Sequence, residues 1–74
     1  MPPVALRTER LGIRKVYELL NEQEMEVEMQ GDRIEVNGRE IVIKNEKDVL
    51  VVEGNASVEF QKIQRILSEQ YSIV

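Results

Sequence analysis

Two periodicities alternate along the chain. Ile13, Val16, Tyr17 and Leu20 recur at i, i+3, i+4 and i+7, which predicts one apolar stripe on an amphipathic helix. Thr8 is the expected cap of that helix, Glu9 sits near its positive end, and Asn21 marks its expected close. Gly12 is out of place inside such a helix, either as a tolerated flaw or as a point of close backbone approach. Glu24-Met25-Glu26-Val27-Glu28-Met29 then alternates strictly, the period of a strand with one wet and one buried face. Gly31-Asp32 and Asn37-Gly38 suit two-residue hairpin turns, so Arg33 to Val36 and Arg39 to Lys44 are the second and third strands. A looser turn, Asn45 to Asp48, leads to a fourth strand from Val49 to Glu53. Gly54-Asn55 closes the sheet, and Asn55 or Ser57 caps a last helix with its core stripe at Phe60, Ile63, Leu67 and the adjacent Ile66, fraying around Gln70 to Ser72.

These elements predict a two-layer α+β fold of order α-β-β-β-β-α, a four-stranded antiparallel meander with both helices on one face. The expected organisation is a single domain over 1–74, with residues 1–7 a flexible N-terminal arm.

Two-residue turns fix register, and register fixes which side chains share a face. The expected buried face is Met25, Val27, Met29, Ile34, Val36, Ile41 and Ile43, with one mismatch, Val36 opposite Arg39. The same registers set Glu28, Glu35 and Glu40 in one row on the outer face, mildly unfavourable for folding alone. The fourth strand does not alternate. With a three-residue loop Val49 and Val51 turn inward and Val42, Leu50 and Val52 outward; with one more residue Leu50 and Val52 turn inward and Val42, Val49 and Val51 outward. Either way three apolar side chains lie on the outer face, and Val49 to Val52 has none of the charge that normally guards an edge strand. Val42, Val49, Leu50, Val51 and Val52 are therefore the candidate interface, covered by a second copy of the chain, by another protein, or by the chain's own Val4-Ala5-Leu6 or Tyr71 to Val74.

Composition narrows the chemistry. The 74 residues include no Cys and no His, which removes disulfides, Cys/His zinc sites and the commonest bases and nucleophiles. A chain this short has one small core and wants a staple, for which a partner subunit is one source. The four glycines stand singly, so no phosphate-cradling loop is present. The expectation is a non-enzymatic protein-interaction module, self-associating as a homodimer, with no cofactor and no metal. With no apolar run near the roughly 20 residues of a membrane span and no secretory start, the expected setting is soluble and cytoplasmic.

The net charge of −4 conceals a split: residues 1–17 carry four Arg or Lys against one Glu, the remainder six against thirteen Asp or Glu. Arg7, Arg10 and Arg14, with Lys15, form a basic stripe on the expected first helix. The alternative function is nucleic-acid binding through that stripe. The acidic outer face opposes it, and no aromatic platform is apparent. Strands between two helices are also the order of double-stranded RNA-binding domains, but those carry a basic cluster where this chain has Ala56-Ser57-Val58-Glu59-Phe60, and no family resemblance is claimed.

Overall fold

The computed structural model describes residues 3–70. Its elements are β1 (Pro3–Glu9), α1 (Ile13–Glu22), β2 (Val27–Gln30), β3 (Arg33–Val36), β4 (Ile41–Glu46), β5 (Val49–Asn55) and α2 (Val58–Gln70). The fold is a small α+β arrangement whose sheet has five antiparallel strands in the order β1-β5-β4-β3-β2, not four. Both helices cover one face of it: Val16 and Leu20 of α1 and Phe60, Ile63 and Leu67 of α2 share a core with Leu6, Ile34, Val36, Ile41, Ile43, Leu50 and Val52. No described helix is long and apolar enough to cross a membrane.

The extra strand is the main departure from expectation. Residues 3–9, expected as an arm running into the first helix, pair with β5 over their whole length, from Pro3 opposite Asn55 to Glu9 opposite Val49. Val4, Leu6 and Thr8 fall on the helix side, and Leu6 and Thr8 are buried. Thr8 is thus not a helix cap: its hydroxyl donates to the Glu9 carbonyl at 3.0 Å, which satisfies a polar group with no exposed surface. The ladder continues as the Arg10 amide donates to the Asp48 carbonyl, and helix geometry begins only at Ile13. Gly12 is the N-cap, with an ordinary extended backbone (φ −62°, ψ 123°) and open space where a Cβ would stand, so neither expectation for it applies.

Helix α1 ends in a tight cap. The Glu24 amide donates to the Asn21 carbonyl and the Met25 amide to the Leu20 carbonyl, the paired bonds that close a helix through a left-handed residue. Glu24 holds that position at φ 60°. Met25 and Leu20, both buried, supply the accompanying apolar contact.

The β2–β3 register is as expected, with Met29 opposite Ile34 and Glu28 opposite Glu35. Between β3 and β4 the loop is four residues, so Val36 meets Ile41 and not Arg39. Asn37 and Gly38 do adopt positive φ, yet the ladder resumes two residues later. The shift removes the one apolar-to-charged mismatch and preserves every residue's face, since side chains alternate with period two. The β4–β5 turn is Lys47-Asp48, shorter than either expected loop, and it turns Leu50 and Val52 inward and Val42, Val49 and Val51 outward. Ser57 caps α2 by accepting a bond from the Phe60 amide at 3.2 Å. Tyr71 to Val74, the other expected cover for the fourth strand, lies outside the described residues.

Candidate interaction surface

The residues expected at an interface are mostly occupied within the chain. Leu50 and Val52 belong to the core, and Val51, on the open face, has no exposed surface either. Val42 and Val49 are half-buried on that face. The edge of β5 that was to be covered by a second subunit is covered by β1, the within-chain alternative of Val4-Ala5-Leu6.

The expected basic stripe is dispersed for the same reason. Arg7 lies on β1, and Arg10 lies in the connection to α1, where Nη1 donates to the Lys47 carbonyl at 2.6 Å. Arg14 and Lys15 are exposed in the first turn of α1. Arg7, on the open face of the sheet, is therefore separated from the two helical cations by the thickness of the sheet.

What the registers do assemble on the open face is a set of charged rows. Arg7, Val51, Lys44 and Arg33 lie side by side across β1, β5, β4 and β3. The next row is Ala5, Glu53, Val42, Glu35 and Glu28, and on the other side stand Glu9, Val49 and Glu46. The expected triple of glutamates thus keeps Glu28 and Glu35, while Val42 takes the place of Glu40, whose carboxylate accepts a bond from Asn37 Nδ2 in the loop. Opposite charges alternate between rows and pair along strands, Lys44 with Glu46 at 3.2 Å and Arg33 with Glu35 at 3.5 Å. The face carries three cations against five carboxylates, with two ion pairs formed, and Val51 lies between Arg7 and Lys44 in register. Sequence reasoning missed the cationic row because one member enters through the long-range pairing of β1.

The remaining unpaired backbone is at the two sheet edges. At one, β2 is only four residues long and carries Glu28 outward. At the other, β1 runs for seven residues and pairs with no strand on its far side among those described. The Arg10-to-Asp48 bond fixes the phase of this ladder: bonded and non-bonded pairs alternate, so Val4, Leu6 and Thr8 direct their amides and carbonyls to β5, and Ala5, Arg7 and Glu9 direct theirs outward. The Glu9 carbonyl already accepts the Thr8 hydroxyl. Left at the edge are the amides of Ala5, Arg7 and Glu9 and the carbonyls of Ala5 and Arg7.

Beside that edge runs a groove of about 270 Å³ between β1 and α2. Val4, Ala5, Leu6, Ala56 and Phe60 contribute its apolar part, and Gln61 and Gln64 complete it. Leu6 and Phe60 are buried members of the core, so the groove floor is fixed by the packing of α2 on the sheet. Among the described residues no group of three or more Asp or Glu side chains is placed to hold a metal ion. No family model, curated protein or solved structure matches this chain.

Proposed function

We propose that the protein is a small non-enzymatic protein-interaction module that works by strand addition, a second polypeptide extending the sheet at β1. The observation that carries this reading is the outward row of backbone amides and carbonyls at Ala5 and Arg7, with a side-chain groove beside it. Main-chain bonds at an exposed edge provide affinity in this mode, and pockets for alternate side chains provide selectivity. The self-association expected from the sequence through Val49 to Val52 loses its support, because β1 occupies the edge of β5. The basic stripe expected to bind nucleic acid has no counterpart on one surface, and the interaction reading takes precedence over it.

Selection from a random peptide library, followed by amide mapping of the winners on the isotope-labelled chain, tests the reading. The expected winners perturb Ala5, Arg7 and Glu9 and lose binding in Ala5→Pro, which deletes an outward amide that the β5 ladder does not use. Winners that all map elsewhere, or bind Ala5→Pro unchanged, refute it.

A further inference from the structure

We propose that the β1 edge takes an extended acidic-apolar strand from a different polypeptide, with a carboxylate opposite Arg7 on the open face and an apolar side chain opposite Leu6 in the groove beside α2. The proposal rests on the strand-addition reading and adds the chemistry of the partner.

The backbone sets the geometry. Outward groups at Ala5, Arg7 and Glu9 recur every second residue, about 7 Å apart along a strand, and an extended chain presents donors and acceptors at that interval. Its alternate side chains then have fixed destinations. Residues opposite Ala5 and Arg7 stand on the open face, and residues opposite Val4 and Leu6 stand on the helix side. On the helix side is the groove, with Leu6 and Phe60 at its floor and Gln61 and Gln64 at its rim, an environment for an aliphatic side chain flanked by polar backbone.

Charge selects the outward residues. Of the three cations in the row across the open face, Lys44 and Arg33 each have a carboxylate within 4 Å, and Arg7 has none among the described residues. Arg7 is exposed and sits on the edge strand itself, so the residue added opposite it is its nearest cross-strand neighbour on that side. The same charge deters indiscriminate pairing of apolar strands, the usual role of a charge on an edge, and makes the position opposite Arg7 selective for a carboxylate, while Glu9, two residues along the same face, disfavours one opposite itself.

A second copy fits less well than a foreign strand. Pairing two β1 strands over their full length, about Leu6, sets Arg7 against Ala5 and sets Glu9 against Pro3, which has no amide to donate. Moving the centre to Thr8 sets Arg7 against Glu9, but it shortens the bonded stretch to that pair and its symmetry mate, because Ala5 then falls opposite Leu11, beyond the end of β1. The chain's own acidic-apolar segment, Glu24 to Met29, has Met25 buried and Val27 and Met29 packed against the core, so its apolar side chains are committed to its own helices.

The test titrates the labelled full chain, at low salt, with a blocked seven-residue peptide of Val alternating with Thr, in which a single Glu at the third position falls opposite Arg7 when the peptide pairs antiparallel from Glu9 to Pro3, and with its single-Lys counterpart. The acidic peptide is expected to shift the amides of Ala5, Arg7 and Glu9 and slow their exchange with solvent, while Leu6 and Thr8, already bonded to β5, keep the protection they have. The basic peptide is expected to bind about 5-fold more weakly, and Arg7→Glu to reverse that order. Ala5→Pro is expected to lose both peptides while the core amides of Ile43 and Val52 stay protected, which separates loss of the edge from loss of the fold. Equal binding of both peptides at these amides overturns the charge selection and leaves strand addition standing; no shift at millimolar peptide overturns both. Protection of the same amides without peptide, accompanied by a doubled mass or growing filaments, assigns the edge to a second copy and overturns the proposal.

Discussion

Gly54→Ala is the substitution for which the structure makes the sharpest statement about stability. Gly54 lies in β5 between Val4 of β1 and Ile41 of β4, where the chain entering β4 passes over it. A methyl group there would stand 2.9 Å from Ile41 Cγ1, 3.0 Å from Ile41 Cα and against the Glu40 carbonyl, and two of these three obstacles are backbone. Rotation of a side chain cannot relieve them, so β4 or β5 has to move. Overpacking of this kind costs about 1–3 kcal/mol, and with backbone in the way the upper half of that range applies. Against it, alanine restricts the unfolded chain, a gain of about 0.4–1 kcal/mol. The net expectation is a loss of roughly 1.5 kcal/mol, a fall in Tm of about 6–12 °C for a chain of this size. Gly12→Ser is the matched control: nothing lies within 4 Å of its added Cβ, its backbone suits any residue, and a serine there can cap α1. It is expected to raise Tm. Thermal unfolding followed by circular dichroism measures both, with the amide spectrum confirming the fold. A Gly54→Ala protein as stable as the parent refutes the close approach of β4 and, with it, the register of Ile41 opposite Gly54.

Three further outcomes follow from local geometry. Glu24→Gly is expected to stabilise by about 0.5–1 kcal/mol, because Glu24 holds the left-handed position that ends α1 and a side chain is costly there; a denaturant midpoint that falls contradicts this. Ser57→Ala removes the acceptor for the Phe60 amide and is expected to cost about 1 kcal/mol, read from the same denaturant curves. A chain shortened to begin at Arg10 uncovers Leu6 and Thr8's places in the core and the uncharged edge of Val49 to Val52, and is expected to elute as aggregates where the full chain elutes at its own mass.

The parts of this fold that are local in sequence were legible in it. The Met29-to-Ile34 register follows from Gly31 and the alternation on either side, and the stripe Phe60, Ile63, Leu67 follows from helical spacing. The parts that failed are long-range or ambiguous in period. Val4, Leu6 and Thr8 do alternate with Ala5, Arg7 and Glu9, as a strand requires, but Thr8-Glu9 also reads as a helix start and Arg7, Arg10 and Arg14 also fall on one helical face. Nothing local chooses between these periods; pairing with β5, more than 40 residues away, does. The expected four-stranded meander and the expected basic helix stripe share that one cause. The anomaly of the fourth strand, by contrast, was real: an uncharged run at a sheet edge did require a cover, and its neighbour is β1.

The position of β1 accounts for two features that looked separate, the need of a 74-residue chain for a staple and the uncharged edge of Val49 to Val52. The staple is intramolecular. β1 adds Leu6 and Thr8 to the core, and the connection behind it is held by the Arg10 amide on Asp48, Arg10 Nη1 on Lys47 and Asn45 Nδ2 on the Leu11 carbonyl at 2.7 Å. These bonds tie the connection after β1, at Arg10 and Leu11, to the β4–β5 hairpin. In closing the edge of β5, however, β1 becomes an edge itself. The open backbone is transferred from a strand with no charge to one that carries Arg7 and Glu9 outward and begins with a proline, three features that discourage pairing between like chains. Those features do not remove the outward amides; they restrict which strand can meet them. A sheet that merely needed an end would be served by a short strand such as β2, whereas seven residues of regular edge beside a groove floored by Phe60 supply both the length and the side-chain pocket that recognition of an extended partner requires.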